Sequence, residues 1–184
     1  MGAILSQCGQ YRYQLSRDVT PRQVDDAPAG QTIAFFGINP STADATIDDS
    51  TVKKWIGFTS RLGASRFVVG NVFAYRATKV KELASASDPF GPGNDAHIDS
   101  IVEEADILVP CWGARGKIPR ELRTALDEML GRLLSTGKPV FHFGRTQSGD
   151  PMHPLMLGYS TPLVPWPNLD ISGEKEAPGK RGIN

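Results

Sequence analysis

Cysteine is scarce in this chain. Cys8 and Cys111 stand far apart with no CxxC spacing, which argues against a zinc site and a secreted disulfide framework and fits a reducing cytoplasm. Net charge is missing too. Lysine plus arginine equal aspartate plus glutamate at 20 each, so neither a global basic field nor an acidic excess announces a partner class. No run of about eighteen apolar residues occurs, and no cationic segment followed by an apolar stretch opens the chain, so membrane spanning and secretion are not expected. What is present suits a single domain: 184 residues that are 40% hydrophobic can bury a core without disulfides or a metal. That domain is expected over residues 1–171. The remainder, 172–184, "SGEKEAPGKRGIN", is polar and aperiodic and reads as a loose tail.

The body of the chain alternates apolar runs with amphipathic segments. "YRYQLS" in the first seventeen residues reads as an edge strand or hairpin, and "QTIAFFGI", bounded by Gly30 and by Asn39-Pro40, as a buried strand. Asp48, Asp49 and Ser50 offer caps and dipole-complementing charge for the helix "STVKKWIGFTSRLG". "RFVVGNVFAY", "DILVPCWG" and "KPVFHFG" give three further strands. Between them lie helices over "KVKELASA", with Thr78 as its cap, over "DAHIDSIVEEA", and over a long segment starting near Pro119 that carries Leu122, Ala125, Leu126, Met129, Leu130, Leu133 and Leu134 on one face. Strands alternating with helices predict an α/β fold: a three-layer α/β/α sandwich around a mainly parallel sheet of about four strands, with the N-terminal strand or hairpin at its edge.

In such a sheet the working site lies beyond the carboxyl ends of the strands. There the sequence places Asn39-Pro40-Ser41-Thr42-Ala43-Asp44, then Asn71 with Tyr75-Arg76, then Trp112-Gly113-Ala114-Arg115, then Arg145 and His153-Pro154. Taken alone, Asn39 and Asp44 are as well explained as turn formers, and Phe36 and Trp112 as core. Of the three histidines, His142 alternates with two phenylalanines inside a strand and reads as a core or face residue, and His97 as a surface residue. His153 sits between prolines in a loop, where an imidazole has little packing value. Arg115, Lys117, Arg120 and Arg123 form a cationic cluster that is either a solvated helix start or a phosphate contact.

The segments "GINPSTADATIDD", "VVGNVFAYRAT", "DPFGPGNDAHI", "CWGARG" and "HPL", in this order, resemble an uncharacterised bacterial and phage family. Their layout is also similar to the uracil-DNA glycosylase superfamily, whose mismatch-specific branch carries "GINPG" where this chain has "GINPS". The Asn-containing strand end "VVGNV", the Trp-Gly of "PCWGA" and the late His-Pro follow in register. The chain departs from that pattern at Ser41 and in "HPLML", which lacks the usual serine and the small residues that enter the duplex.

The resemblance implies a DNA glycosylase in which Asn39 positions the hydrolytic water, Phe36 or a nearby aromatic stacks on the extruded base, Asn71 reads its polar edge and His153 supports the leaving base. Because glycosidic cleavage develops positive charge on the sugar and negative charge on the base, the site needs an anion near the ring and donors at the base, roles suited to Asp44 and His153. Catalysis is thus assigned to Asn39, Asp44 and His153, base binding to Phe36, Gly37, Ile38, Asn71 and Tyr75, and DNA contact to Ser41, Thr42, Arg76, Arg115 and Lys117. Some members of the superfamily look suited to removing bulky modified cytosines from phage DNA, and loops rich in Gly and Ser would leave room for them. The expected partner is DNA carrying a modified or mismatched base, the expected state a monomer, with no metal or cofactor. A hydrolase or transferase acting on a free nucleotide, and a catalytically silent base- or protein-binding module, are the alternatives.

Overall fold

The computed structural model describes residues 2–23, 30–41 and 48–167. Its main sheet is built from β1 (Gly2–Leu5), β2 (Arg12–Asp18), β3 (Thr32–Gly37), β4 (Arg66–Asn71) and β5 (Ile107–Pro110) in the order β1-β2-β4-β3-β5. Strand β3 runs parallel to β4 and β5. The hairpin β1–β2 joins antiparallel to β4. The sheet is therefore mixed, where the alternation of strands and helices predicts a mainly parallel one. Local signals reveal a hairpin, but they carry no information about which distant strand it will pair with or in which direction.

Side chains alternate across β3 and divide the core. Ile33 and Phe35 join Val52, Trp55 and Phe58 of helix α1 (Ser50–Arg61) in one apolar cluster. Ala34 and Phe36 join Ile98 and Ile101 of α2 (Asn94–Glu104) and Ala125, Leu126, Met129 and Leu133 of α3 (Thr124–Leu134) in another. Apolar residues cover both sides of β3, which explains its unbroken hydrophobic run. Gly70 lets α2 lie close: a Cβ there would come within 2.7 Å of Ile98 Cδ1.

Helix α1 starts as its sequence predicts, with Asp49 accepting from the amides of Thr51 and Val52, both at 2.9 Å. Asp48 does something else. Its carboxylate pairs with Arg17, whose Nε lies 2.9 Å away and whose side chain is only 1% exposed, so it balances a buried cation on β2 rather than capping the helix.

Three further expectations are corrected. The segment after Pro119 opens as a 3₁₀ turn, Arg120–Leu122, preceded by another at Arg115–Lys117, and α3 begins only at Thr124. The Arg123 guanidinium, bonded to the Ile118 carbonyl at 3.0 Å, ties this stretch down. The segment Val80–Ser85 is likewise a 3₁₀ turn, entered from Lys79 rather than capped by Thr78. The fourth parallel strand shrinks to a single bridge between Val140 and Leu108; beyond it β6 (Phe141–His142) leaves to pair antiparallel with β7 (Val164–Pro165). Among the described residues, no helix is long and apolar enough to cross a membrane.

Candidate functional site

Because β3, β4 and β5 run parallel, Gly37, Asn71 and Pro110 end on one edge of the sheet. The chain leaving β4 is laced to the chain leaving β3: the amides of Val72, Phe73 and Ala77 donate to the carbonyls of Gly37, Ile38 and Pro40 at 3.0, 2.8 and 3.1 Å. Asn39 reinforces the seam, its Nδ2 donating to Pro40 O at 3.0 Å and Ala77 O at 2.8 Å. The β1–β2 turn arrives at the same edge. Arg12 N donates to Ala74 O at 3.0 Å, Arg76 N to Gln10 O at 2.9 Å, and Tyr11 bridges Tyr75. Gly9, Gln10, Ser41, Tyr75, Arg76, Ala77 and Thr78 thereby surround a cavity of about 310 Å³.

Asn71 is the buried polar group of this edge. It is 3% exposed, and its Nδ2 has no hydrogen-bond partner, a deficit that costs about 1–3 kcal/mol in a buried amide. Gly37 makes room for it, since a Cβ at that position would lie 2.9 Å from Asn71 Oδ1. Ile38 and Tyr75 are partly buried against the α2–α3 cluster, whereas Phe36 is wholly enclosed in it and presents no face at the edge. Tyr75 also meets the Tyr11 ring edge-on at 5.9 Å. Of the two aromatics at hand, Tyr75 is the one a ligand can reach.

His153 comes from the loop after β6. Gly113, with φ of +80°, donates its amide to Pro151 O at 2.8 Å and presents its bare α-carbon to the histidine; a Cβ there would lie 3.2 Å from His153 Cβ. The imidazole accepts the Leu155 amide at Nδ1, 3.2 Å away, which leaves Nε2 to carry the proton of the neutral ring. Burial, and secondarily the Lys117 cation, lower its pKa from the ordinary 6.5, while Asp49 works in the opposite sense. Lys117 and Asp49 therefore both act on this ring. Asp49 in turn accepts the Ser41 hydroxyl, linking the first loop to the histidine.

Arg115 is already occupied. Its Nε donates to Asp150 at 2.8 Å, and its two terminal nitrogens grip Asp127 at 3.0 and 2.7 Å, hydrogen bonds that raise its pKa. Burial opposes charge on Asp150, yet the Arg115 amide, Ser148 and the guanidinium together hold its carboxyl below the ordinary value. This network braces the loop that carries Lys117. His142 is 7% exposed and meets Trp166 edge-on, in keeping with a core position. His97 is half-buried against Tyr13, their ring centroids 4.6 Å apart. Thr42 and Asp44, assigned to DNA contact and catalysis, lie outside the described residues.

The structure thus brings Asn39, Ser41, Asn71, Tyr75 and Arg76 to one edge, and Lys117 and His153 to its neighbourhood through Asp49 and Gly113. Sequence reasoning missed Gly9 and Gln10, because their place depends on strand pairing, and missed Asp49, whose capping role hid its second contact. Among the described residues, no three His, Cys, Asp or Glu side chains gather in a way that would hold a metal.

Comparison with known proteins places the chain in a family without assigning it a chemistry. A family described as a protein of unknown function (DUF1643) matches residues 12–155, and the chain belongs to it. No curated protein and no solved structure matches the chain.

Proposed function

We propose, for this member of a family whose function is undescribed, that the edge formed by Asn39, Asn71, Tyr75 and His153 hydrolyses the N-glycosidic bond of a flipped, modified or mismatched base in DNA. The unpartnered Nδ2 of Asn71 carries the reading: a buried donor left without an acceptor is completed by a ligand carbonyl or ring nitrogen, the groups a nucleobase edge offers. Tyr75 supplies the stacking face. The glycosidic bond breaks with its electron pair moving to the base nitrogen, and Nε2–H of neutral His153 donates to the developing anion. Water adds to C1′ and gives up its proton to Asp44, the base assigned from sequence, while Asn39 holds the turn and presents Oδ1 to that water.

In this reading the fold is a glycosylase-like three-layer sandwich with an added antiparallel hairpin, and the protein works as a monomer in a reducing cytoplasm. Cys8 and Cys111 are both free, and burial pushes the Cys111 thiol up to about 12. Leu155 and Met156, the latter 89% exposed, stand beside His153 and replace the small residues that enter a duplex in the resembled superfamily. Loops rich in Gly and Ser around the edge support a bulky base such as a hypermodified cytosine of phage DNA, in a defence role.

The test is incubation of the full chain with DNA containing uracil, mismatched thymine, hydroxymethylcytosine or glucosylated hydroxymethylcytosine, scoring alkali-sensitive abasic sites. Asp44→Ala and Asn71→Ala serve as controls. Abasic product that disappears in both variants is expected; turnover of a free nucleotide with no abasic product from any DNA would overturn the reading.

A further inference from the structure

Among the described residues that line the cavity of about 310 Å³ beside Asn39, several carry hydrogen-bond donors, none is acidic and Arg76 is the one cation. The side chain donates from one terminal nitrogen to Gly9 O at 3.1 Å, while its Nε is buried with no partner. Four other arginines of this fold pair with carboxylates: Arg17 with Asp48, Arg66 with Asp18 and Glu104, Arg115 with Asp127 and Asp150, Arg132 with Asp95 and Asp99. Among the described residues, no carboxylate pairs with Arg76. Ser41, Tyr75 and Thr78 add hydroxyls and Gln10 an amide around it.

A partly desolvated cation surrounded by neutral donors is electrostatically incomplete, and an anion with several acceptor oxygens completes it. We propose that this cavity is a phosphate subsite in which Arg76 supplies the counter-charge, the hydroxyl of Thr78 and the amide of Gln10 fix the oxygens, and the β1–β2 turn forms the outer wall. The hairpin that makes the sheet mixed then has a use: it brings Gly9 and Gln10 to the carboxyl edge of the parallel strands. Resting on the base-excision reading, the inference assigns the phosphate to the DNA strand beside the flipped nucleotide. A free mononucleotide offers the same chemistry.

Binding of a single-stranded oligodeoxynucleotide, deoxycytidine 5′-monophosphate, deoxycytidine and inorganic phosphate to the full chain separates these sources. The oligonucleotide is titrated over a range of salt, and the amide resonances of Gly9, Gln10 and Thr78 are followed by NMR with the three small probes. The monophosphate and inorganic phosphate should move those resonances, and deoxycytidine should not. Arg76→Gln should flatten the dependence of log K on log salt by about 0.7, the share of one phosphate on a single strand, whereas Arg76→Lys keeps the slope. Thr78→Val should weaken oligonucleotide binding roughly two- to tenfold with the slope unchanged, as for one lost hydrogen bond.

An unchanged slope in a folded Arg76→Gln, or phosphate probes that leave the three amides unmoved, would overturn the subsite, even if abasic sites still form. Phosphate and monophosphate that move the amides, with no excision from any DNA, would uphold the subsite, place it on a free nucleotide and remove the excision reading.

Discussion

At the scale of single residues, Asn71 and His153 separate function from stability. Replacing Asn71 by Ala removes a donor with no protein partner, so folding should change by no more than about 1 kcal/mol, while loss of a donor aimed at developing charge should cut excision by about 10²-fold or more. Thermal melts beside single-turnover assays measure both. A large drop in melting temperature with near-normal turnover would instead mark Asn71 as structural. His153 predicts a pH dependence. Its folded pKa is lowered by burial and by Lys117, so the neutral donor persists below pH 6.5 and excision should fall only at more acidic pH. Lys117→Gln removes one of the lowering causes and should move that acid limb upward. Stability follows the same sign. His142 is also lowered, chiefly by burial and then by Arg145, so the unfolded chain takes up protons first as pH falls. The stabilisation from both rings is fully present above about 6.5 and is lost as pH drops through their folded values. Melting temperatures between pH 8 and pH 5 should show this decline, flattened by His142→Gln.

At the scale of elements, two glycines govern how closely helices approach the sheet and the site loop. In Gly70→Ala the new methyl lands 2.7 Å from Ile98 Cδ1 and 3.0 Å from Ile101 Cδ1. Overpacking of this kind costs about 1–3 kcal/mol, which denaturant unfolding would register as a lower midpoint with an unchanged slope. Gly57 of α1 is different. A Cβ there would fall 2.4 Å from the Tyr159 ring, which lies under the cations of Lys54 and Arg61 in the segment following His153. Alanine adds up to about 1 kcal/mol of helix propensity, and displacing the ring forfeits cation–π contacts of about 0.5–1 kcal/mol each. Two such contacts, with the Phe58 ring and the Lys53 carbonyl that Tyr159 also touches, outweigh that gain. Gly57→Ala should therefore lower the melting temperature modestly while loosening the histidine loop, so that kcat falls more than stability does. Both start signals were readable along the chain for α1, where Asp49 precedes an apolar face at helical spacing. The break after Pro119 was not, because the Arg123 bond to the Ile118 carbonyl exists only once the chain has turned.

At the scale of the whole molecule, the Arg17–Asp48 pair joins the hairpin to the chain that enters α1. Arg17 is almost wholly buried and also donates to the Ser16 carbonyl at 2.9 Å, so Asp48→Ala takes a carboxylate away from a buried guanidinium, a change that costs up to about 3–5 kcal/mol in comparable buried pairs. It should lower stability far more than Asp18→Ala, where the partner Arg66 is partly solvated and retains Glu104. Chemical denaturation of the two variants measures the difference, and similar losses would mean that Arg17 finds other acceptors. The two faces of β3, each filled by side chains of different helices, make the sheet the common support of every loop at the site.

The sequence by itself determined strands β2 to β5, the helices α1 and α2 and the apolar face of α3, because burial on both faces of β3, β4 and β5 requires unbroken apolar runs and capping requires particular residues next to helix starts. It also placed Asn39 and His153 after strands and Asn71 at a strand end, since position along the chain decides which residues close or follow an element. Only the tertiary structure decided that the hairpin pairs antiparallel with β4, that Asp48 serves Arg17, that Arg115 is consumed by Asp127 and Asp150, and that Gln10 faces Arg76. Each of these is a contact between residues distant in sequence, and the free energy that selects such a contact depends on which surfaces meet rather than on any local propensity.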